Sequence, residues 1–232
     1  GSCLSPCHWG QPNQPKYWFH RFQHIYCWFF YGINTITWTT IKDFVKLEQY
    51  KKRGLVKKEE YPRFLIAMIF RKALYQTLFL VLPLIFLPFS IGGILLMWVT
   101  MHMVCSTVLA LVFQTAHVTP TSEFYYIEDG QVEENYYVHQ LLTTTNYSTS
   151  SKFVSYMVGG LNFQVEHHLF PNICHVHYPE ISKIVKKTAE EYNLPYYDIP
   201  TFWGAVGAHV RMLRKLGRME KEEPQYRSKV AA

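Results

Sequence analysis

Gln164, His167 and His168 stand at i, i+3 and i+4 in the stretch GGLNFQVEHHLFPNICHVHYPE, Gly159 to Glu180. On a helix these positions share one face, within about 6 Å of each other. Neutral imidazole is the commonest side-chain ligand of first-row metals, so the spacing suits a helix that faces a metal. Glu166 is one residue off that face and projects elsewhere. Four of the chain's eleven histidines lie in this stretch. Two of them, His175 and His177, follow Pro171 and so lie off the helix. Adjacent histidines by themselves are more often satisfied polar side chains near a helix end. His117 shifts that reading. Gln114 and His117, at i and i+3, come where a long uncharged run ends, so His117 can face a site at that boundary together with His167 and His168. His139, in YVHQLLTTTNYS, is a further contributor. His102 lies about 22 Å deeper along the same run and reads as an intramembrane polar contact lining a cavity. His20 and His24, at i and i+4, would share a helix face but lack a third ligand, so they read as interfacial packing. CLSPCH, Cys3 to His8, has no second ligand pair and is not read as a zinc site.

The elements that must position these groups are apolar. Hydrophobic residues make up 49% of the 232-residue chain and aromatics 17%, yet the mean hydropathy is −0.06, so the apolar residues are concentrated. Ala73 to Phe89 and Ile94 to Phe113 carry no charge. About 20 apolar residues cross a bilayer core as a helix. The second run has that length. The first is short unless it begins earlier, and Pro83 and Pro88 would kink or end it. The link Pro88 to Gly93, PFSIGG, admits only a tight turn, so the runs form a hairpin. Lys42, Lys46, Lys51, Lys52, Arg53, Lys57, Lys58, Arg63, Arg71 and Lys72 precede it, and the turn has no cation. By the positive-inside rule both flanks, and the histidine site, lie on the cytoplasmic side.

The five cysteines are odd in number and scattered, which implies no disulfide framework. The net charge of +6 suits a membrane surface and gives no nucleic-acid footprint. Four regions follow. Residues 1–44 are an irregular lead-in and an aromatic segment, either interfacial or a poorer third span. Residues 45–72 form a basic cytoplasmic linker. Residues 73–113 are the transmembrane hairpin, and 114–232 a cytoplasmic helical cap bearing the histidines. Within the cap, 120–135 is an acidic surface loop. Pro179 starts an amphipathic helix with Ile181, Ile184, Val185 and Ala189 on one face, and Asn193 and Pro195 end it. Residues 202–218 form a basic helix with Arg211, Arg214, Lys215 and Arg218, suited to an acidic electron donor, to anionic lipid or simply to solvent. The tail, 219–232, is charged and frayed.

His139 to Tyr197 resembles the C-terminal part of the membrane fatty acid desaturases of the front-end type. QVEHH matches that family's third histidine box, with Gln in place of the first His. FQTAHV, Phe113 to Val118, resembles the end of the family's last transmembrane helix, and HRFQHIY, His20 to Tyr26, the region after its second box. The resemblance covers nearly the whole chain. It implies an all-α membrane protein, part of a four-helix bundle. Its centre would be two iron ions held by histidine at the cytoplasmic face, above a tunnel for a fatty acyl chain. His117, His167 and His168 match iron ligands, and Gln164 matches the first box position. Glu166, His139, Asn146, His175 and His177 are candidates to support or orient them. The implied reaction uses O2 and an external electron donor such as cytochrome b5 or ferredoxin to insert a cis double bond.

The family's first two histidine boxes are absent. The chain is therefore expected to be a C-terminal portion that by itself neither holds two irons nor desaturates. No HPGG motif of a fused cytochrome b5 is present, so the donor is expected to be a separate protein or a domain outside this sequence. Acyl hydroxylation on the same scaffold, or a non-catalytic membrane protein whose histidines bind haem or pack beneath headgroups, are the alternatives.

Overall fold

Apolar runs, prolines and a few hydroxyl caps decide where the helices begin and end. The computed structural model describes residues 17–121 and 135–218. The lead-in with Cys3, Cys7 and His8, most of the acidic loop and the charged tail lie outside the described residues. The chain divides into two compact units. Among the described residues the first is Cys27–Val108, and the second joins 17–26 to 109–121 and 135–218.

In the first unit, α1 (Gln23–Thr37) passes through a π turn (Trp38–Lys42) into α2 (Asp43–Lys52). α3 (Tyr61–Gln76) passes through a second π turn (Thr77–Val81) into α4 (Leu82–Phe86), and α5 (Ile91–His117) follows. Residues 45–72 are thus not a linker throughout, because α2 and the first turns of α3 occupy both ends. The apolar helix also begins earlier than its uncharged core, at Tyr61. Lys72, which interrupts the apolar pattern, is neutralised locally: its Nζ lies 2.9 Å from Asp43 Oδ2 and donates to the Trp38 carbonyl at 2.7 Å. Pro83 has no N–H for the preceding turn, and the wider π turn just before it takes up the mismatch. Leu87 is extended, as the residue before Pro88 must be. The link is shorter than PFSIGG, because Gly92 and Gly93 belong to the first turn of α5. Ser90 caps that turn, its Oγ accepting from Gly93 N at 3.1 Å.

Among the described residues two stretches are long and apolar enough to cross a membrane, Tyr61–Phe86 and Ile91–His117. None of the apolar window of the first is buried within the protein, the opposite of a soluble core helix. The aromatic segment 17–44 is not among them. His102 makes the polar contact expected of it, with Thr35 Oγ1 3.0 Å from its Nδ1 and Tyr75 Oη 3.3 Å from its Nε2. Ser106 adds another link. Its hydroxyl donates to the Tyr31 carbonyl and accepts from Thr35 N at 2.9 Å, the two groups that a regular turn of α1 would pair with each other.

The second unit opens with a 3₁₀ turn (Trp18–Phe22) that packs on the C-terminal half of α10 (Phe202–Arg218). His20 is buried in that turn while His24 lies in α1, so they do not share one helix face as expected. Between them come α6 (Tyr136–Thr143), β1 (Asn146–Tyr147), α7 (Lys152–Met157), α8 (Gln164–Leu169), a 3₁₀ turn (His175–His177), α9 (Tyr178–Glu191) and β2 (Asp198–Ile199). The described residues are mostly helical, with one pair of two-residue strands. β1 and β2 pair in parallel, Asn146 with Asp198 and Tyr147 with Ile199. α9 ends as a Schellman turn, with Asn193 at φ 54° and Leu194 N bonded to the Ala189 carbonyl at 2.8 Å. Ala189 and Val185 pack with Leu141 and Val165, while Ile184 is exposed and not on that face. α10 buries Ala205, Ala208, His209, Met212, Leu213 and Leu216 and exposes Arg211, Arg214, Lys215 and Arg218.

Candidate functional site

His117 is the last residue of α5 and His168 lies in α8, yet their Nε2 atoms stand 3.3 Å apart. Several contacts fix the end of α5. Thr145 N bonds the Ala116 carbonyl at 2.9 Å, and His209 Nδ1 donates to the Val118 carbonyl at 3.0 Å. His117 itself also bonds the backbone of Thr143. A ring held at one nitrogen presents the other in a set direction.

α8 is only six residues long and needs outside support. The turn before it uses Gly159 and Gly160, both at positive φ. A Cβ on Gly160 would come within 2.7 Å of His175 Cβ, so only glycine fits there. Beneath α8, the fully buried Glu166 accepts from Asn146 Nδ2 and from Tyr196 Oη, both at 2.8 Å. Asn146 Nδ2 also reaches Tyr196 Oη at 2.8 Å, and Asn146 Oδ1 accepts from Val165 N at 2.9 Å. Burial pushes the Glu166 carboxyl up, and the two donors pull it partly back. Burial and then Glu166 raise the Tyr196 phenol, which therefore stays a donor. On the outer side, Tyr136 Oη donates to the His168 carbonyl at 2.8 Å.

The sequence-derived residues separate in this frame. His117 and His168 meet. His167 has its ring centroid 5.6 Å from that of His168, with its Nδ1 3.3 Å from Tyr178 Oη. Gln164 is buried at 1% exposure and its Nε2 has no protein partner. Asn146 and Glu166 form the support just described. His139 is half-buried in α6. His175 and His177 are exposed and form the 3₁₀ turn that leads into α9. Tyr136, Tyr178, Tyr196 and His209 carry no motif and escaped the sequence reading.

Burial first, then His117 and His167, pull His168 down to about 4, so at neutral pH its ring is uncharged, the state in which imidazole binds a metal. Two ligands of one ion, each about 2.1 Å from it, stand about 3.0–3.4 Å apart for bond angles near 90–110°. The His117–His168 separation matches that edge, and Gln164, whose Nε2 has no protein partner, is a further buried polar side chain on α8. These residues therefore fit part of a metal's donor set. Among the described residues no group of three His, Cys, Asp or Glu converges to hold an ion, so the set is not complete in itself.

Comparison with known proteins gives one consistent result. The chain is 38% identical over 209 residues to an acyl-lipid (8-3)-desaturase of Physcomitrium patens, covering 90% of this chain and 43% of that protein. It is 32% identical over 209 residues to an sn-1 linoleoyl-lipid 6-desaturase of Synechocystis sp., covering 89% and 58%. It is 34% identical over 215 residues to an acyl-lipid (8-3)-desaturase of Mortierella alpina, covering 92% and 48%. The chain thus spans about half the length of these relatives. No solved structure matches it. The pattern of the fatty acid desaturase family matches residues 5–200, and with the two apolar helices and the paired histidines already in place, the chain belongs to that membrane family.

Proposed function

We propose that this chain supplies part of the metal centre and of the membrane body of a fatty acyl desaturase. The protein would insert a cis double bond into an acyl chain using O2 and electrons from a separate carrier such as cytochrome b5 or ferredoxin. The observation that carries the reading is the His117–His168 pair, two imidazole nitrogens 3.3 Å apart at the end of an apolar helix. Iron held there by His117 and His168 would supply the oxidising power needed to take hydrogen from an unactivated methylene.

The chain's own groups prepare that site. His117 is aimed by its bond to the Thr143 backbone. His168 is kept neutral by burial and by its neighbours. His167 has one nitrogen against Tyr178, leaving the other for a second ion, and Gln164 offers an amide for weak or water-mediated contact. The Asn146–Glu166–Tyr196 bonds hold α8 and so keep the ring positions constant. A centre of two ions takes more donors than these four residues, so its remaining ligands would come from outside this set. α3–α4 and α5 serve as a transmembrane hairpin within a four-helix bundle. The cations between Lys42 and Lys72 support a cytoplasmic position for the histidine site.

The test is product analysis. The whole natural protein, expressed in cells lacking the activity, is expected to add one cis double bond to membrane acyl chains, read by mass spectrometry. His117→Ala and His168→Ala are each expected to abolish it. Hydroxylated products, or activity that survives both substitutions, would overturn the proposal.

A further inference from the structure

α7 is amphipathic in the wrong sense for a soluble surface. Its inward side is small or polar. Val154 packs against the cluster of Ala116, Tyr147 and Ala205, and Ser155 Oγ accepts from Asn162 Nδ2 at 3.0 Å. Its outward side, at i, i+3 and i+4, is Phe153, Tyr156 and Met157, which are 73%, 84% and 65% exposed. Trp203, at the start of α10, is 76% exposed and stacks edge-on to Phe202, which borders the same cluster. Two elements thus turn large apolar side chains outward around one small core.

The height of that core is set by Ala116. It lies three residues past Phe113, the end of the uncharged run, or about 5 Å further along the helix axis. That is the border between acyl chains and headgroups. Phe, Tyr, Met and Trp beside an exposed Lys152 are the residue types that settle at this border, rings toward the acyl chains and the cation toward phosphate. From these observations we infer that α7 and the start of α10 form a membrane-interface foot, with Phe153, Tyr156, Met157 and Trp203 inserted at the headgroup boundary of the bilayer that α5 crosses. The foot rests on α5 being a membrane span. Its consequence is that α8, joined to α7 through the Gly159–Gly160 turn, is held at a fixed height above the bilayer.

Spin labels test it in the protein reconstituted into phospholipid bilayers. Single cysteines at positions 153, 156 and 157, in a cysteine-free background, are expected to collide severalfold more with lipid-dissolved O2 than with a water-soluble nickel chelate, relative to a label at Ser150. A label at Val104, on the lipid side of α5, is the internal reference. If Val104 reads as lipid-exposed while 153 and 156 read like Ser150, the foot is refuted and the span stands. If Val104 also reads as water-exposed, both fall. Labels shielded from both reagents, or broadened by a neighbouring label until unlabelled protein is added, would assign the face to a protein or a second copy and overturn the proposal. The native chain offers a parallel measurement. Lipid brominated near the top of the acyl chain is expected to quench the protein's fluorescence, and Trp203→Phe is expected to remove part of that quenching. An unchanged quenched fraction would count against Trp203.

Discussion

Asn146→Ala removes the hub beneath α8. Three bonds go at once: the donations to Glu166 and Tyr196, and the acceptance from Val165 N. Val165 and Glu166 are both fully buried, so an N–H and a carboxyl oxygen are left without partners. An orphaned buried group costs about 1–3 kcal/mol, which gives about 4 kcal/mol for the pair, with Tyr196 still satisfying the other Glu166 oxygen. At about 2–4 °C per kcal/mol for a chain of this size, the expected fall in Tm is about 10 °C. The assay is thermal unfolding in detergent followed by near-UV circular dichroism. Tyr196→Phe is the graded control. It keeps the ring and removes one donor, for an expected loss of about 1–2 kcal/mol. If Asn146→Ala melts within about 2 °C of the parent, or less destabilised than Tyr196→Phe, the network does not hold α8 and the reasoning is wrong.

Other outcomes follow from the same geometry. His209 is fully buried and desolvation lowers it to about 4. Because its folded value is depressed, its contribution is complete above about pH 6.5 and is lost as pH falls toward 4. The expected loss is about 2 kcal/mol at pH 5 and about 3 kcal/mol in full, measured as a urea midpoint shift that His209→Asn flattens. Gly217→Ala should destabilise by about 2–3 kcal/mol, because its Cβ would run into the backbone carbonyl of His20 and push the 3₁₀ turn off α10. Equal melting of the two proteins would show that this contact is slack. Gly160→Ala combines a positive φ with the clash on His175, so a loss of at least about 1 kcal/mol is expected in the same melts. Ser106→Ala should cost about 1 kcal/mol in detergent unfolding, in the range found for interhelical hydrogen bonds in membrane proteins.

Much of this was legible because it rests on local rules. The uncharged run of α5 gave its span, and the i, i+3, i+4 spacing gave α8 with Glu166 on its other side. Pro179 and Asn193 marked the ends of α9. The failures share a cause, which is dependence on distant residues. Lys72 read as the last cation of a basic cytoplasmic linker, because its partner, Asp43, lies in another helix. Ile184 fitted the helical period, but the groove formed by Leu141 and Val165 stops short of it. The two-residue strands are too short to show a period, and they exist only because Asn146 meets Asp198 across the chain. Tyr196 and His209 acquire their roles solely from burial against groups 30 and 91 residues away.

The hydroxyl of Ser106 between Tyr31 and Thr35 has a consequence for motion. Expelled from α1, it would fall back on its own preceding turn, at the His102 carbonyl, which Thr35 Oγ1 already occupies at 3.1 Å. The two hydroxyls would then share one carbonyl, while the Tyr31 carbonyl and Thr35 N lose their Ser106 partner. Sliding α1 along α5 would break both Ser106 bonds in one step. The contact acts as a pin between the two helices and resists small displacements of one along the other.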